Sequence, residues 1–128
     1  MRFLHPDGWP AAKGYANGVL AEGRLIFVAG QVGCDAGGTF AADLPSQVEQ
    51  ALKNIVAVLE SGGARPDQVV RLTWYMTDLG DYNARLGEIG AAYRRIMGRH
   101  FPAMTAIEVR ALVDPRARVE IEATAVIE

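Results

Sequence analysis

Apolar and polar positions along this chain follow two periods, and the change from one to the other divides it into elements. Between Tyr15 and Ala29 two short apolar segments, Gly18 to Ala21 and Leu25 to Ala29, flank Glu22-Gly23. That pattern predicts strand, tight turn, strand, because glycine tolerates positive φ. Gly30-Gln31-Val32-Gly33 leads into Asp35-Ala36-Gly37-Gly38, a second turn, and then a short extended piece near Thr39 and Phe40. The period then becomes helical. Val48, Ala51, Leu52, Ile55 and Leu59 share one face, with Asp43 as N-cap, Pro45 in the first turn and Gly62-Gly63 as the stop. The run Val69 to Thr77 is rich in β-branched and aromatic residues and predicts a strand, with Val70, Leu72, Trp74 and Met76 on one face and Arg71, Thr73, Tyr75 and Thr77 on the other. A second helix is predicted from about Asp81, with Tyr82, Leu86, Ile89, Tyr93, Ile96 and Met97 as its buried stripe and Gly98 as its terminator. Two strands, Thr105 to Leu112 and Arg118 to Ile127, complete the chain around Asp114-Pro115-Arg116.

Pro6, Gly8, Pro10 and Gly14 crowd the first fourteen residues, which predicts an arm without regular structure, anchored by Trp9. The order ββ(β)αβαββ then describes a single domain over residues 1–128: a two-layer α+β sandwich, with a six-stranded mixed sheet and two helices on one face. The first helix and its flanking strands are expected to form a right-handed crossover. No helix remains for the other sheet face. Since strand residues such as Val119, Ile121, Ala123 and Ala125 need a surface to pack on, that face is expected to meet sibling subunits in a closed homo-oligomer.

Half of the 128 residues are hydrophobic and 22% are charged, which excludes a disordered chain because enough apolar surface exists to offset chain entropy. Thirteen basic residues against fifteen acidic ones give a formal charge of −2, so no field spans the chain that would hold a polyanion; nucleic acid is not an expected partner. Cys34 stands alone, which excludes an internal disulfide and fits a reducing compartment. The longest apolar runs fall far short of the ~20 residues that cross a bilayer, and the first residues lack the apolar stretch of a signal peptide, so the expectation is a cytoplasmic protein without a membrane partner.

Recognised catalytic motifs are missing. There is no phosphate loop, GxSxG elbow or HExxH pair, and His5 and His100 lie in different segments, so neither a metal nor a cofactor is expected. Arg94, Arg95 and Arg99 crowd the end of the second helix, where cations suit the helix dipole or an anion site. Glu120 and Glu122 fall on one strand face, opposite Val119 and Ile121. On a monomer they are solvated charges; beside a subunit cleft, a partly desolvated Glu can serve as a general base or orient a water.

Several segments, in this order and spacing, resemble one family: Lys13-Gly14-Tyr15-Ala16, Phe27-Val28-Ala29-Gly30-Gln31, Gln50-Ala51-Leu52-Lys53-Asn54-Ile55, the Val69 to Asp78 strand, Phe101-Pro102-Ala103 and Val119-Glu120-Ile121-Glu122-Ala123. The chain is similar along nearly its whole length to the RidA/YjgF reactive-intermediate deaminases, also called L-PSP endoribonucleases or translation inhibitors. The resemblance implies a chorismate-mutase-like fold, assembled as a homotrimer with small-molecule ligands in clefts between subunits. It makes Glu120 the catalytic residue that positions the attacking water. It makes Tyr15, Gly30, Gln31 and Met104 substrate-binding residues, with Trp74 and Tyr93 as walls.

In the active branch of the family an arginine follows Phe-Pro-Ala and clamps the carboxylate of a 2-imino or 2-enamino acid. Met104 occupies that position here and can form no bidentate clamp. The resemblance therefore implies an enamine or imine deaminase-type hydrolase of altered substrate, with Arg110, His100 or Arg71 as a substitute cation from elsewhere in the trimer. The alternatives are a small-molecule-binding trimer without catalysis and, against the charge arithmetic, an endoribonuclease.

Overall fold

The structure, a computed structural model, describes residues 1–128. Its strands are β1 (Arg2–Leu4), β2 (Gly18–Leu20), β3 (Arg24–Val32), β4 (Val69–Met76), β5 (Ala103–Glu108) and β6 (Val119–Ile127). Its helices are α1 (Leu44–Ser61), α2 (Leu79–Ala84) and α3 (Leu86–Met97), with a 3₁₀ turn at Pro66–Gln68 before β4. No helix is long and apolar enough to cross a membrane.

The α+β sandwich with a mixed sheet is as expected, but the strands divide differently. Four of them form one sheet in the order β3-β6-β4-β5, while β1 and β2 pair as a separate antiparallel ribbon. The predicted Glu22-Gly23 hairpin therefore does not exist. Gly23 is required for another reason: a Cβ there would stand 2.2 Å from the Ile127 carbonyl oxygen of the neighbouring strand. The third strand expected near Phe40 is a single bridge to Cys34. The arm contains a strand because β2, unpaired with β3, needs a partner for its backbone groups. The Trp9 side chain, expected as the arm's anchor, is 57% exposed within the chain.

Within the main sheet β4 and β5 are parallel, whereas β6 runs antiparallel to both of its neighbours, β3 and β4. Both helical segments lie on one face. Asp43 caps α1 by accepting from the Ser46 N–H at 2.9 Å, and Val48, Ala51, Leu52, Ile55 and Leu59 are fully buried against the sheet and α3. A fully buried leucine or isoleucine contributes roughly 1.5–3 kcal/mol. Asn54 adds polar docking by donating to the carbonyls of Val32 and Cys34 at 3.1 and 2.9 Å, which ties α1 to the end of β3.

Val119, Ile121, Ala123 and Ala125 face this helix layer and form part of the core, so they are not the surface left for a sibling subunit. The uncovered face instead carries half-buried Glu120, Glu122 and Thr124, with Phe27 beside Thr124 at 73% exposure. Val69, rather than Val70, joins the core, because a bulge between Val69 and Arg71 shifts the inward set by one residue. The second helix is broken at Arg85, whose φ of −121° leaves the helical region; Leu86, expected in the buried stripe, is 51% exposed just after the break. Gly98, at φ +70°, ends α3 as expected.

One buried polar residue escapes the helical pattern. Gln47 is 1% exposed, and its amide donates to the carbonyls of Ala41 (3.0 Å) and Arg116 (3.1 Å) while its oxygen accepts from the Arg118 N–H (2.8 Å). Gly33 packs so closely over it that a Cβ would lie 2.5 Å from the Gln47 Cα. Gln47→Leu strands three backbone groups and should cost about 3 kcal/mol or more, read as a lower urea midpoint at unchanged slope; a loss under about 0.5 kcal/mol would show that this lock carries little.

Candidate functional site

The expected site residues fall into two groups on opposite faces of the sheet. In the first, alternation along β4 turns Trp74 toward the helices, where it stacks with Tyr93 of α3 at a centroid distance of 6.2 Å. Tyr93 in turn stacks on Phe101 at 5.4 Å, and its hydroxyl donates to the His100 carbonyl at 2.5 Å. Burial pushes the Tyr93 phenol well above its ordinary range. The indole N–H of Trp74 is buried and has no acceptor in the protein, the only such side-chain atom in the structure. Met104 pairs in register with core residue Leu72 and packs half-buried against the core.

Tyr15 reaches the same place through the backbone. The Ala16 N–H donates to the Pro102 carbonyl at 3.0 Å and Ala16 bridges Ala103, so the arm runs along the outer edge of β5. Tyr15, Trp74, Tyr93 and Met104 thus border one groove of about 510 Å³, with Tyr82 and Phe101 as further aromatic walls. The break at Arg85 shapes its rim by leaving Leu86 at the opening. Arg85 is held there by Asp81 at 2.9 Å.

The second group lies at β3 and β6. Between the pairs Val28–Ala123 and Gln31–Ile121, β3 contains one residue more than β6, and this bulge brings Gly30 against Glu120. A Cβ on Gly30 would stand 2.5 Å from the Glu120 Oε2, so the absent side chain leaves room for the carboxylate. Gln31 pairs with Ile121, and its amide donates to the Ala29 carbonyl at 3.1 Å. Beside Glu120 on the same face, the Tyr75 hydroxyl donates to Glu122 at 2.7 Å.

Arg110, His100 and Arg71, expected as substitute cations from elsewhere in the trimer, do not border the groove of their own chain. His100 is occupied with the Val69 carbonyl at 2.6 Å, Arg71 lies on the Glu122 face, and Arg110 falls in the loop after β5. The cations that do border it are Lys13 and Arg94. Ile89 belongs to the core and Tyr82 packs against it, as expected, and both also border the groove, because a groove wall beneath a helix has the same period as a core face. No cluster of three or more His, Cys, Asp or Glu side chains is placed to share a metal ion.

A two-layer α+β sandwich with an aromatic groove at the sheet edge and a carboxylate-bearing opposite face defines the class of this protein, and related sequences make it specific. The family described as endoribonuclease L-PSP matches residues 7–127, and the chain belongs to this Rid/YjgF family. Human 2-iminobutanoate/2-iminopropanoate deaminase is 34% identical over 121 residues, covering 91% of this chain and 83% of the human protein. Among solved structures, the Rid-family protein YyfB of Yersinia pestis superposes with a TM-score of 0.87 at 32% identity, covering 98% of each chain. The Escherichia coli YjgF gene product gives 0.72 at 30% identity over the full length of both.

The hydrogen bond to Glu122, with smaller contributions from desolvation and the charges of Glu122 and Glu120, raises the Tyr75 phenol above its ordinary 10.0. The folded chain favours the protonated phenol, so the stability linked to this group is complete below about pH 10 and is lost as pH rises through the raised folded value. In Glu122→Gln an absorbance titration at 295 nm should bring one tyrosine midpoint back down; an unchanged curve would mean that Tyr75 and Glu122 are not paired.

Proposed function

We propose that this protein is a Rid-type hydrolase of imines or enamines, and that its site is completed between copies of the chain in a homotrimer. One observation carries the reading: the groove and the Glu120 carboxylate belong to opposite faces of one sheet. From strand spacing and rise, Met104 and Glu120 lie roughly 14 Å apart along that sheet. A single copy does not bring both to one small molecule, whereas a neighbour whose own uncovered face packs over the groove supplies its Glu120 there. The exposed Phe27 and half-buried acidic residues of that face support such a contact.

In the reaction, water attacks the carbon of the C=N bond while Glu120 takes one of its protons, and the π pair moves to nitrogen, which receives that proton from Glu120. The resulting carbinolamine collapses, a C=O bond forms, and ammonia leaves with its electron pair and a proton. Tyr15 and the backbone at Gly30 and Gln31 orient the ligand. Trp74, Tyr93 and Met104 supply apolar walls that exclude bulk water and strengthen the carboxylate's action. The human deaminase among the relatives supports this chemistry. The reading includes no metal, cofactor, nucleic acid or membrane, and it places the protein in the cytoplasm, in keeping with a single unpaired Cys34.

Met104 favours one second reading, a trimer that binds small molecules without turnover, and the same assay separates the two. Imines generated from amino acids by an oxidase and trapped with semicarbazide should be intercepted by catalytic amounts of the protein. Glu120→Ala should lower that rate by about 10²–10⁴-fold. Ala106→Trp, which fills the groove, should be inactive as well. Refolded together in equal amounts, these two variants should recover about a quarter of wild-type activity, because one site in four then combines two intact halves. Absence of recovery from a mixed trimer would place the whole site within one chain.

A further inference from the structure

The three arginines around the end of α3 have separate surroundings. Arg95 is paired with Glu49 at 3.0 Å and staples α3 to α1. Arg99 borders a different hollow, beside Phe3 and His5. Arg94 has no acidic partner and borders the groove. Its Nη1 lies over Gly90, 3.3 Å from the position a Cβ would take there, so the bare helix surface at Gly90 leaves the guanidinium its place. Lys13 brings a second cation to the same groove, and none of the thirteen lining residues is acidic. In a chain of net charge −2, this local excess of positive charge marks the groove for an anion.

The rest of the lining describes the remainder of that anion. Nine of the thirteen residues are hydrophobic, and the stacked Trp74, Tyr93 and Phe101 present aromatic faces and edges. A volume of about 510 Å³ is far more than the body of a two- or three-carbon acid fills. We infer that the groove takes carboxylates with a bulky, preferentially aromatic body, and that Arg94, assisted by Lys13, is the substrate-anchoring residue in a site where Met104 provides none. Guanidinium and carboxylate pair through two parallel N–H···O bonds, which fixes the carboxylate at the rim and lays the apolar body against the rings. This deepens the hydrolase reading by naming its substrate class, and it rests on that reading for the reacting C=N group alone.

Binding is tested with 3-phenylpropanoate, which cannot be hydrolysed, by calorimetry on the intact protein. Arg94→Gln should weaken it by about tenfold or more, whereas Arg95→Gln, whose native residue is ion-paired away from the groove, should leave it unchanged. Propanoate should bind at least about tenfold more weakly than 3-phenylpropanoate, and 3-phenylpropanamide should show no dependence on Arg94. Equal affinity of wild type and Arg94→Gln for 3-phenylpropanoate, or equal affinity of wild type for the short and long acids, would overturn the inference. Trapping assays on the imines of phenylpyruvate and pyruvate keep it distinct from the hydrolase reading. Arg94-dependent binding without turnover of either imine removes the hydrolase and keeps the anchor; turnover of both at equal efficiency, insensitive to Arg94→Gln, does the reverse.

Discussion

The amide of Gln47 is the constraint on which the site's frame depends. It is buried at the start of α1, under Gly33 at the end of β3, and holds the backbone on both sides of Ala117, just before β6 begins. Buried peptide groups without partners are costly, so a loop that enters the interior must find donors and acceptors there. Gln47 meets three such demands with one side chain. By fixing the Arg118 N–H it fixes the start of the central strand, and Glu120 follows two residues later. Helix, loop and the strand that carries the carboxylate are therefore tied at one point.

From that frame the two halves of the site diverge. Alternation along β4 and β6 sends Trp74 toward the helices and Glu120, Glu122 and Tyr75 away from them. The edge position of β5 allows the arm to run beside it, which places Tyr15 next to Met104 without any side-chain contact dictating the path. A sheet with only one face covered leaves polar and apolar groups together on the other, a surface suited to a further copy of the chain. On the proposed reading, the oligomer is what makes an active site out of two half-sites, and the uncovered face has a catalytic reason as well as a packing one.

The broken second helix bears on ligand choice. A continuous helix would have carried Leu86 into the buried stripe; the turn at Arg85 instead puts it at the groove's opening and lets α3 present Ile89, Gly90, Tyr93 and Arg94 as one wall. The wall combines aromatic rings with an unpaired guanidinium, so it offers both of the contacts an amphipathic acid requires. That positive charge arises on a helix rather than at the strand position of the family's arginine, where Met104 contributes shape instead.

The residues themselves determined a good deal. Hydrophobic periodicity located α1, β4 and β6, the stops at Gly62 and Gly98 marked helix ends, and the ordered motifs identified the family and with it the sandwich. Glu120 and Glu122 were legible as a pair because a strand's period of two is local. What failed were the non-local features: β2 pairing with β1 instead of β3, and the bulges that brought Val69 inward and Gly30 against Glu120. Each depends on which backbone groups lie across from one another, and no window of sequence contains that partner. Gln47 is not part of the apolar stripe of α1, and its burial follows only from the Ala41 and Arg116 carbonyls that the fold places beside it. In the same way only the tertiary structure separated Arg94 from Arg95 and Arg99, since three cations at one helix end are equivalent in sequence and differ solely in what the folded chain places beside them.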